Sequence, residues 1–268
     1  MRKCNVAFAG SGQLYPAFIG VLRCLRDKQI EVAEIAGTSG GAIIAAAAAS
    51  GIDIGPELLG VIKRTLPLKN RLFDFSIKSL FKKWGLIRGV RIETALDMYF
   101  CDRLGDAKFP IHITASNISA RKVRVFSSVA DPRFKTSRAV RASISLPIIF
   151  APVEIAGELH VDGGWMKNMP SDVFCNNLPV LGFRFRPASG IVKNIASVWN
   201  YLLALLESII DGEVDDTPLG SPYIISIPTR FSTLAFNVSE EDVDAMVAEG
   251  YRAAEEWLAA NEEKVFKM

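Results

Sequence analysis

The sequence predicts an α/β fold with a mainly parallel central sheet, and three observations carry that reading. Two consecutive units at the start of the chain each run from an apolar strand through a glycine turn into a helix. Units of this kind join by right-handed crossovers, which lay their strands side by side in parallel. Short apolar runs and helix-period stretches then keep alternating to the end. No linker-like break interrupts the 268 residues, so a single domain over 1–268 is expected, and half the residues are hydrophobic, enough for a substantial core.

Each element has a local reason. Residues 5–9 (NVAFA) read as a buried strand, 10–15 (GSGQLY) as a turn, and Pro16 suits the first turn of a helix running to about Lys28. Residues 30–37 form a second strand, and a second, alanine-rich helix follows over Ser39–Ser50, ended by Gly51. Its eight-residue apolar run, Ala42–Ala49, is far short of a membrane span and reads as a tightly packed core helix. Strands are expected at 111–116, 122–127, 158–162, 179–185 and 223–227. Helices are expected near 56–65, 76–84, 91–100, 136–143, 192–210 and 239–260. In the last, Ser239 and Asp242 have the spacing of a capping box with Asp in place of Glu, and Val243, Met246, Val247, Tyr251, Ala254 and Leu258 keep one apolar face.

Bulk chemistry narrows the function. A net charge of +2 argues against a dedicated nucleic-acid binder. Cys4, Cys24, Cys101 and Cys175 are scattered without a C-x-x-C pair, which points to reduced thiols in a cytoplasmic setting. With two histidines, His112 and His160, a His-based metal cluster is not expected, and the apolar run after Arg2 and Lys3 is too short for a cleaved signal.

The segment Gly37-Thr38-Ser39-Gly40-Gly41 lies where the second strand meets its helix. A sharp strand-to-helix turn lifts its apex residue above the sheet and demands small neighbours, because helix and strand pass close at once. Gly37 and Gly41 supply that room, and the helix N-terminus favours negative charge at the Ser39 oxygen. Upstream, Gly10-Ser11-Gly12 forms another glycine turn. A dinucleotide fingerprint would need glycine at position 15, where Tyr15 stands. The better reading is a set of backbone N–H groups at a helix N-terminus, offered to a negative oxygen.

A nucleophilic serine needs a base. His112 sits mid-strand and reads as a packed residue. Asp162 ends a strand and precedes Gly163 and Gly164, which places a carboxylate where open α/β sheets build their sites. The plain alternative is an Asp that caps a tight turn. His160, two residues earlier, is a rival base or a neighbour of Asp162.

In order, the glycine turn, GTSGG, the stretches 113–128 and 139–153 (AVRASISLPIIFAPV), and DGGWMKNMPSDVF at 162–174 resemble the patatin-like phospholipase family. The likeness runs from about residue 5 to about 186. It implies a three-layer α/β/α fold and a Ser–Asp dyad without histidine: Ser39 as nucleophile, Asp162 as base, and the amides of Gly10, Ser11, Gly12 and Gly40 as oxyanion hole. It requires no metal or cofactor. The implied activity is lipid acyl hydrolysis of phospholipase A or esterase type through an acyl-enzyme. The alternatives are acyl transfer by the same dyad, or a non-catalytic lipid-binding module on a decayed lipase fold.

The chain departs from the family at its first turn, where a glycine, a basic residue and a second glycine are replaced by Ser11, Leu14 and Tyr15. Without the basic residue, a neutral lipid ester, a thioester or an acyl-transfer substrate gains ground over a phospholipid. Arg138 or Arg141 could substitute, against the plain reading of both as a solvated helix face. Residues 63–91 carry nine Lys/Arg against Asp74 alone. Within them Ile77, Leu80, Phe81 and Trp84 share a helical face, with Lys78, Lys82 and Lys83 off it, a pattern suited to the surface of an anionic membrane. The competing expectation is a helix docked on the core with its lysines in water.

Overall fold

A computed structural model describes residues 2–65, 74–187, 201, 204–205, 208, 223–233 and 238–266. In chain order the elements are β1 (Arg2–Phe8), α1 (Ala17–Asp27), β2 (Ile30–Thr38), α2 (Gly40–Ala49), α3 (Pro56–Thr65), α4 (Ile77–Lys83), β3 (Gly85–Ile87) and α5 (Val90–Asp97). There follow β4 (Ile111–Asn117), β5 (Lys122–Ser127), α6 (Thr136–Ser143), β6 (Ile148–Phe150), β7 (Val153–Ile155), β8 (Glu158–Asp162), β9 (Val180–Pro187), β10 (Tyr223–Thr229) and α7 (Glu240–Phe266).

Helices flank a central, mainly parallel sheet, the three-layer α/β/α arrangement, with strand order β10-β9-β1-β2-β4-β8-β7 and β5 paired to β4. The first five strands of that order run parallel. β5 and β8 pair antiparallel with β4, and β7 antiparallel with β8. Every residue of β4 is buried, as are the last five of β1, so both strands are covered on both faces even where the side chain is polar, as at Asn5, His112 and Thr114. α2 is buried on nearly all sides, as its unbroken alanine run foretells.

α1 and α7 cross at backbone contact. A Cβ on Gly20 would lie 1.9 Å from the Val247 carbonyl oxygen, and one on Gly250 would lie 1.9 Å from that of Ala17. The expected apolar face of α7 is realised at Val243, Met246, Val247, Ala254 and Leu258, all buried. The Ser239–Asp242 cap forms in both directions, at 2.9 and 3.1 Å.

Four details differ from the sequence reading. β3 and β6 pair in a separate two-stranded sheet, too short to be seen as periodicity. The glycine turn at 10–12 does not open directly into α1: a 3₁₀ turn over Gly12–Leu14 intervenes, so the helix N-terminus next to Ser39 is that of α2. α4 is not docked by its apolar face, since Ile77, Phe81 and Trp84 are 65%, 80% and 60% exposed, beside Phe75 at 65%. Arg141 is buried rather than solvated. The helix expected at 192–210, Trp199 included, lies almost wholly outside the described residues, as do Lys69 and Arg71.

Candidate active site

Sheet register brings the two principal candidates together. Thr38, the last residue of β2, pairs with Thr114 of β4. The next residue of β4, Ala115, pairs with Asp162, the last of the antiparallel β8. Ser39 therefore emerges beside the end of β8. Its Oγ donates to Asp162 Oδ2 at 2.7 Å.

The serine sits on a strained apex. Its backbone (φ 52°, ψ −122°) lies where a residue with a side chain is rarely found. The turn needs glycines on both sides for space: a Cβ on Gly37 would lie 2.5 Å from Gly41 O, and one on Gly41 would lie 2.6 Å from Phe8 O. The strain is held by hydrogen bonds, with Ser39 N donating to Ser143 Oγ at 2.8 Å and Ala42 N donating to Ser39 O at 2.9 Å. Below it, the Thr38 and Thr114 hydroxyls are hydrogen-bonded to each other.

Asp162 is almost fully buried. Burial pushes its carboxyl up to about 6, against the hydrogen bonds that Ser39 and the Gly164 amide donate to it. The Gly164 bond, 2.8 Å to Oδ1, fixes the carboxylate plane and leaves Oδ2 for the serine. The expected cap on a tight turn and the expected partner of Ser39 are thus one residue, with one oxygen for each task. His160 turns elsewhere: its Nδ1 meets Glu158 O at 3.1 Å and its ring lies 6.0 Å from that of Phe126. His112 pairs with Glu34 at 2.9 Å.

The glycine turn lies against the elbow, a Cβ on Gly10 falling 3.5 Å from Ser39 Cβ and one on Gly40 falling 2.7 Å from Gly12 O. Gly10 departs from its expected role, because its amide donates to Asn168 Oδ1 at 2.8 Å. Among the described residues no acceptor occupies the amides of Ser11, Gly12 and Gly40. The Ser11 hydroxyl is buried and unpartnered. Asn168 escaped the sequence reading, although it lies six residues beyond Asp162 in the same motif. Ser143 escaped it too, because nothing local in 139–153 signals a contact with residue 39.

Arg138 is bound to Glu93 at 3.0 Å. Arg141 is 2% exposed and holds backbone carbonyls, so neither the solvated reading nor a head-group role fits it. Lys78, Lys82 and Lys83 are exposed and, among the described residues, form no ion pair. Among the described residues no His/Cys/Asp/Glu group could hold a metal ion, and no helix is long and apolar enough to cross a membrane.

The model of the patatin-like phospholipase family matches residues 6–180. An uncharacterized protein of Acanthamoeba polyphaga mimivirus is 25% identical over 95% of this chain and 93% of its own length. An uncharacterized NTE family protein of Mycobacterium tuberculosis is 30% identical over 65% of this chain, but the match spans only 28% of that protein. YqhO of Bacillus subtilis, also uncharacterized, is 28% identical over 94% of this chain and 96% of its own. Among solved structures, VipD from Legionella pneumophila superposes with a TM-score of 0.61 at 15% identity, over 97% of this chain and 67% of that one, a likeness of fold.

Proposed function

The chain belongs to the patatin-like phospholipase family, and from that premise we propose that it is a lipid acyl hydrolase in which Ser39 is the nucleophile and Asp162 the base. The observation that supports this reading most is the buried 2.7 Å hydrogen bond from Ser39 Oγ to Asp162 Oδ2. We read residues 1–268 as one acyl hydrolase domain.

The chemistry follows from that contact. Asp162 Oδ2 takes the Ser39 proton as Oγ attacks the ester carbonyl carbon. The carbonyl oxygen becomes an oxyanion, facing the amides of Ser11, Gly12 and Gly40 at the positive end of α2. The alcohol leaves with the proton from Asp162, and the acyl group stays on Oγ. Water then gives a proton to Asp162 and attacks the acyl carbon, and Ser39 regains its proton as the fatty acid departs. An ordinary aspartate, with a pKa of about 3.9, is a weak base. A buried one at about 6 is better matched to a neutral solution.

The substrate is a lipid or other acyl ester. Leu14, buried where the family carries a basic residue, favours a neutral ester over an anionic head group. The partner surface is an anionic membrane, met peripherally by Phe81 and Trp84 with Lys78, Lys82 and Lys83. Apolar and cationic side chains exposed along α4, with Trp84 at its C-cap, support this.

The experiment is incubation of the wild type and Ser39→Ala with a mixed lipid extract, followed by lipid mass spectrometry and fluorophosphonate labelling. Free fatty acid and labelling at Ser39 in the wild type alone are expected. Equal turnover by Ser39→Ala overturns the reading, and acyl groups recovered on an alcohol instead of as free acid would make the chain an acyltransferase.

A further inference from the structure

One short segment, Ser143–Ser145, holds both members of the Ser39–Asp162 pair, by a side-chain oxygen at one end and a backbone carbonyl at the other. Ser39 N donates to Ser143 Oγ at 2.8 Å, and Asp162 N donates to Ser145 O at 2.9 Å. Both serines are fully buried. The two strand ends, 123 residues apart in the chain, are thus hung from positions two residues apart. The bond to Ser143 also bears on the strain at Ser39: a residue at φ 52° stays there only where its surroundings over-determine it, and Ser143 gives its buried N–H a partner.

That segment is itself fastened from behind. Arg141 Nε donates to Gly89 O at 3.2 Å, and its Nη2 donates to Arg88 O at 2.8 Å and Ala151 O at 3.0 Å. Its Nη1 donates to Ser145 Oγ, which in turn donates to Arg141 O at 2.7 Å. Among the described residues no carboxylate forms an ion pair with this guanidinium. Burial lowers it to about 10, so it stays charged at neutral pH. A buried cation held by carbonyl dipoles and a hydroxyl is a costly way to fill space. What it supplies is direction: four fixed acceptors on three separate segments, which an apolar side chain could not orient.

We propose that Ser143 and Arg141 are positioning residues for the Ser39–Asp162 pair, Ser143 by holding the Ser39 amide and Arg141 by fastening the hydroxyl of Ser145, whose carbonyl accepts from Asp162 N. The proposal rests on the dyad reading given above. Neither residue touches the reacting atoms. Together they set the separation and angle of the hydroxyl and the carboxylate.

The test is hydrolysis of a soluble p-nitrophenyl ester across a range of pH by wild type, Ser143→Ala, Ser143→Thr and Arg141→Lys, with thermal melts and fluorophosphonate labelling of each. Ser143→Ala is expected to lose on the order of 100-fold in kcat with KM unchanged, the scale of a misplaced reacting group. Ser143→Thr keeps the oxygen and restores most of the rate. The acid limb of the pH profile moves up in Ser143→Ala, because a looser serine hydroxyl no longer holds the Asp162 pKa down. Lost stability alone would not move that limb. Arg141→Lys shows the same signature and carries the test should Ser143→Ala fail to fold. A folded Ser143→Ala with wild-type kcat overturns the proposal, as does a lost rate with an unmoved acid limb and no recovery in Ser143→Thr. A wild type that is unlabelled at Ser39 overturns the hydrolase reading and this proposal with it; a labelled wild type beside an undiminished Ser143→Ala overturns the positioning role alone.

Discussion

Ser39 Oγ stands 2.7 Å from Asp162 Oδ2 because Thr38 pairs with Thr114 and the next residue of β4, Ala115, pairs with Asp162. The contact is a product of sheet register. β8 runs antiparallel to β4, so a shift of one residue in either pairing would turn one of the two side chains to the other face. A hydrogen bond so placed in a buried setting has consequences that solution measurements can read.

Asp162→Asn is expected to lose turnover by about 10²–10⁴-fold, the usual contribution of a positioned base, because the amide cannot take the Ser39 proton. The geometry survives, since Oδ1 still accepts from Gly164 N. Steady-state ester hydrolysis checks this, and turnover within tenfold of wild type would remove Asp162 from the reaction.

The activity of the wild type is expected to fall as pH drops through about 6, where Asp162 takes up its proton. Stability runs the other way. The Asp162 carboxyl titrates at about 6 when folded against an ordinary value of 3.8, so between these values the folded chain binds more protons than the unfolded one. Its contribution therefore falls as pH rises through that window, by about 3 kcal/mol in all. Asp162→Asn should melt higher than wild type at neutral pH, with a flatter dependence across the window. Melting curves of both proteins over this range decide it.

Gly37→Ala is expected to destabilise the fold by about 2 kcal/mol or more. The added methyl would lie 2.5 Å from Gly41 O and 2.6 Å from Ala42 N, both backbone atoms that cannot step aside without unwinding the start of α2. Denaturant unfolding measures the loss, and an unchanged midpoint would mean that the elbow has slack.

Ser11→Ala is expected to leave ester turnover unchanged and to gain up to about 1 kcal/mol, since it removes a buried hydroxyl that has no hydrogen-bond partner. Ser11 at φ −140° needs no glycine, so the change is conformationally neutral. A fall in kcat would instead enlist the hydroxyl in holding the oxyanion.

Changing Lys78, Lys82 and Lys83 together to Glu is expected to weaken binding to anionic vesicles by at least about 100-fold, at roughly 1 kcal/mol per lysine. Hydrolysis of a soluble ester should not change. Vesicle sedimentation checks the first and a chromogenic ester the second. Undiminished binding would reduce α4 to a solvated surface.

Much of this fold is legible in the order of residues, wherever local chemistry writes it. Strands and helices of the N-terminal half, the Ser239–Asp242 cap, the crowded glycines around Ser39 and the turn after Asp162 all depend on neighbours within a few positions, so their pattern is visible in the string. Tertiary structure decided the rest. Arg141 looks like any basic residue on an eight-residue amphipathic helix, and its burial follows from carbonyls 10, 52 and 53 positions away. The Gly10 amide looks available until Asn168, 158 positions on, accepts from it. The apolar face of α4 suits a membrane surface or the core alike as a pattern, and only the packing leaves Phe81 and Trp84 uncovered. Hydrogen-bond partners and burial are set by which segments meet in space, and a sequence records each segment without recording that meeting.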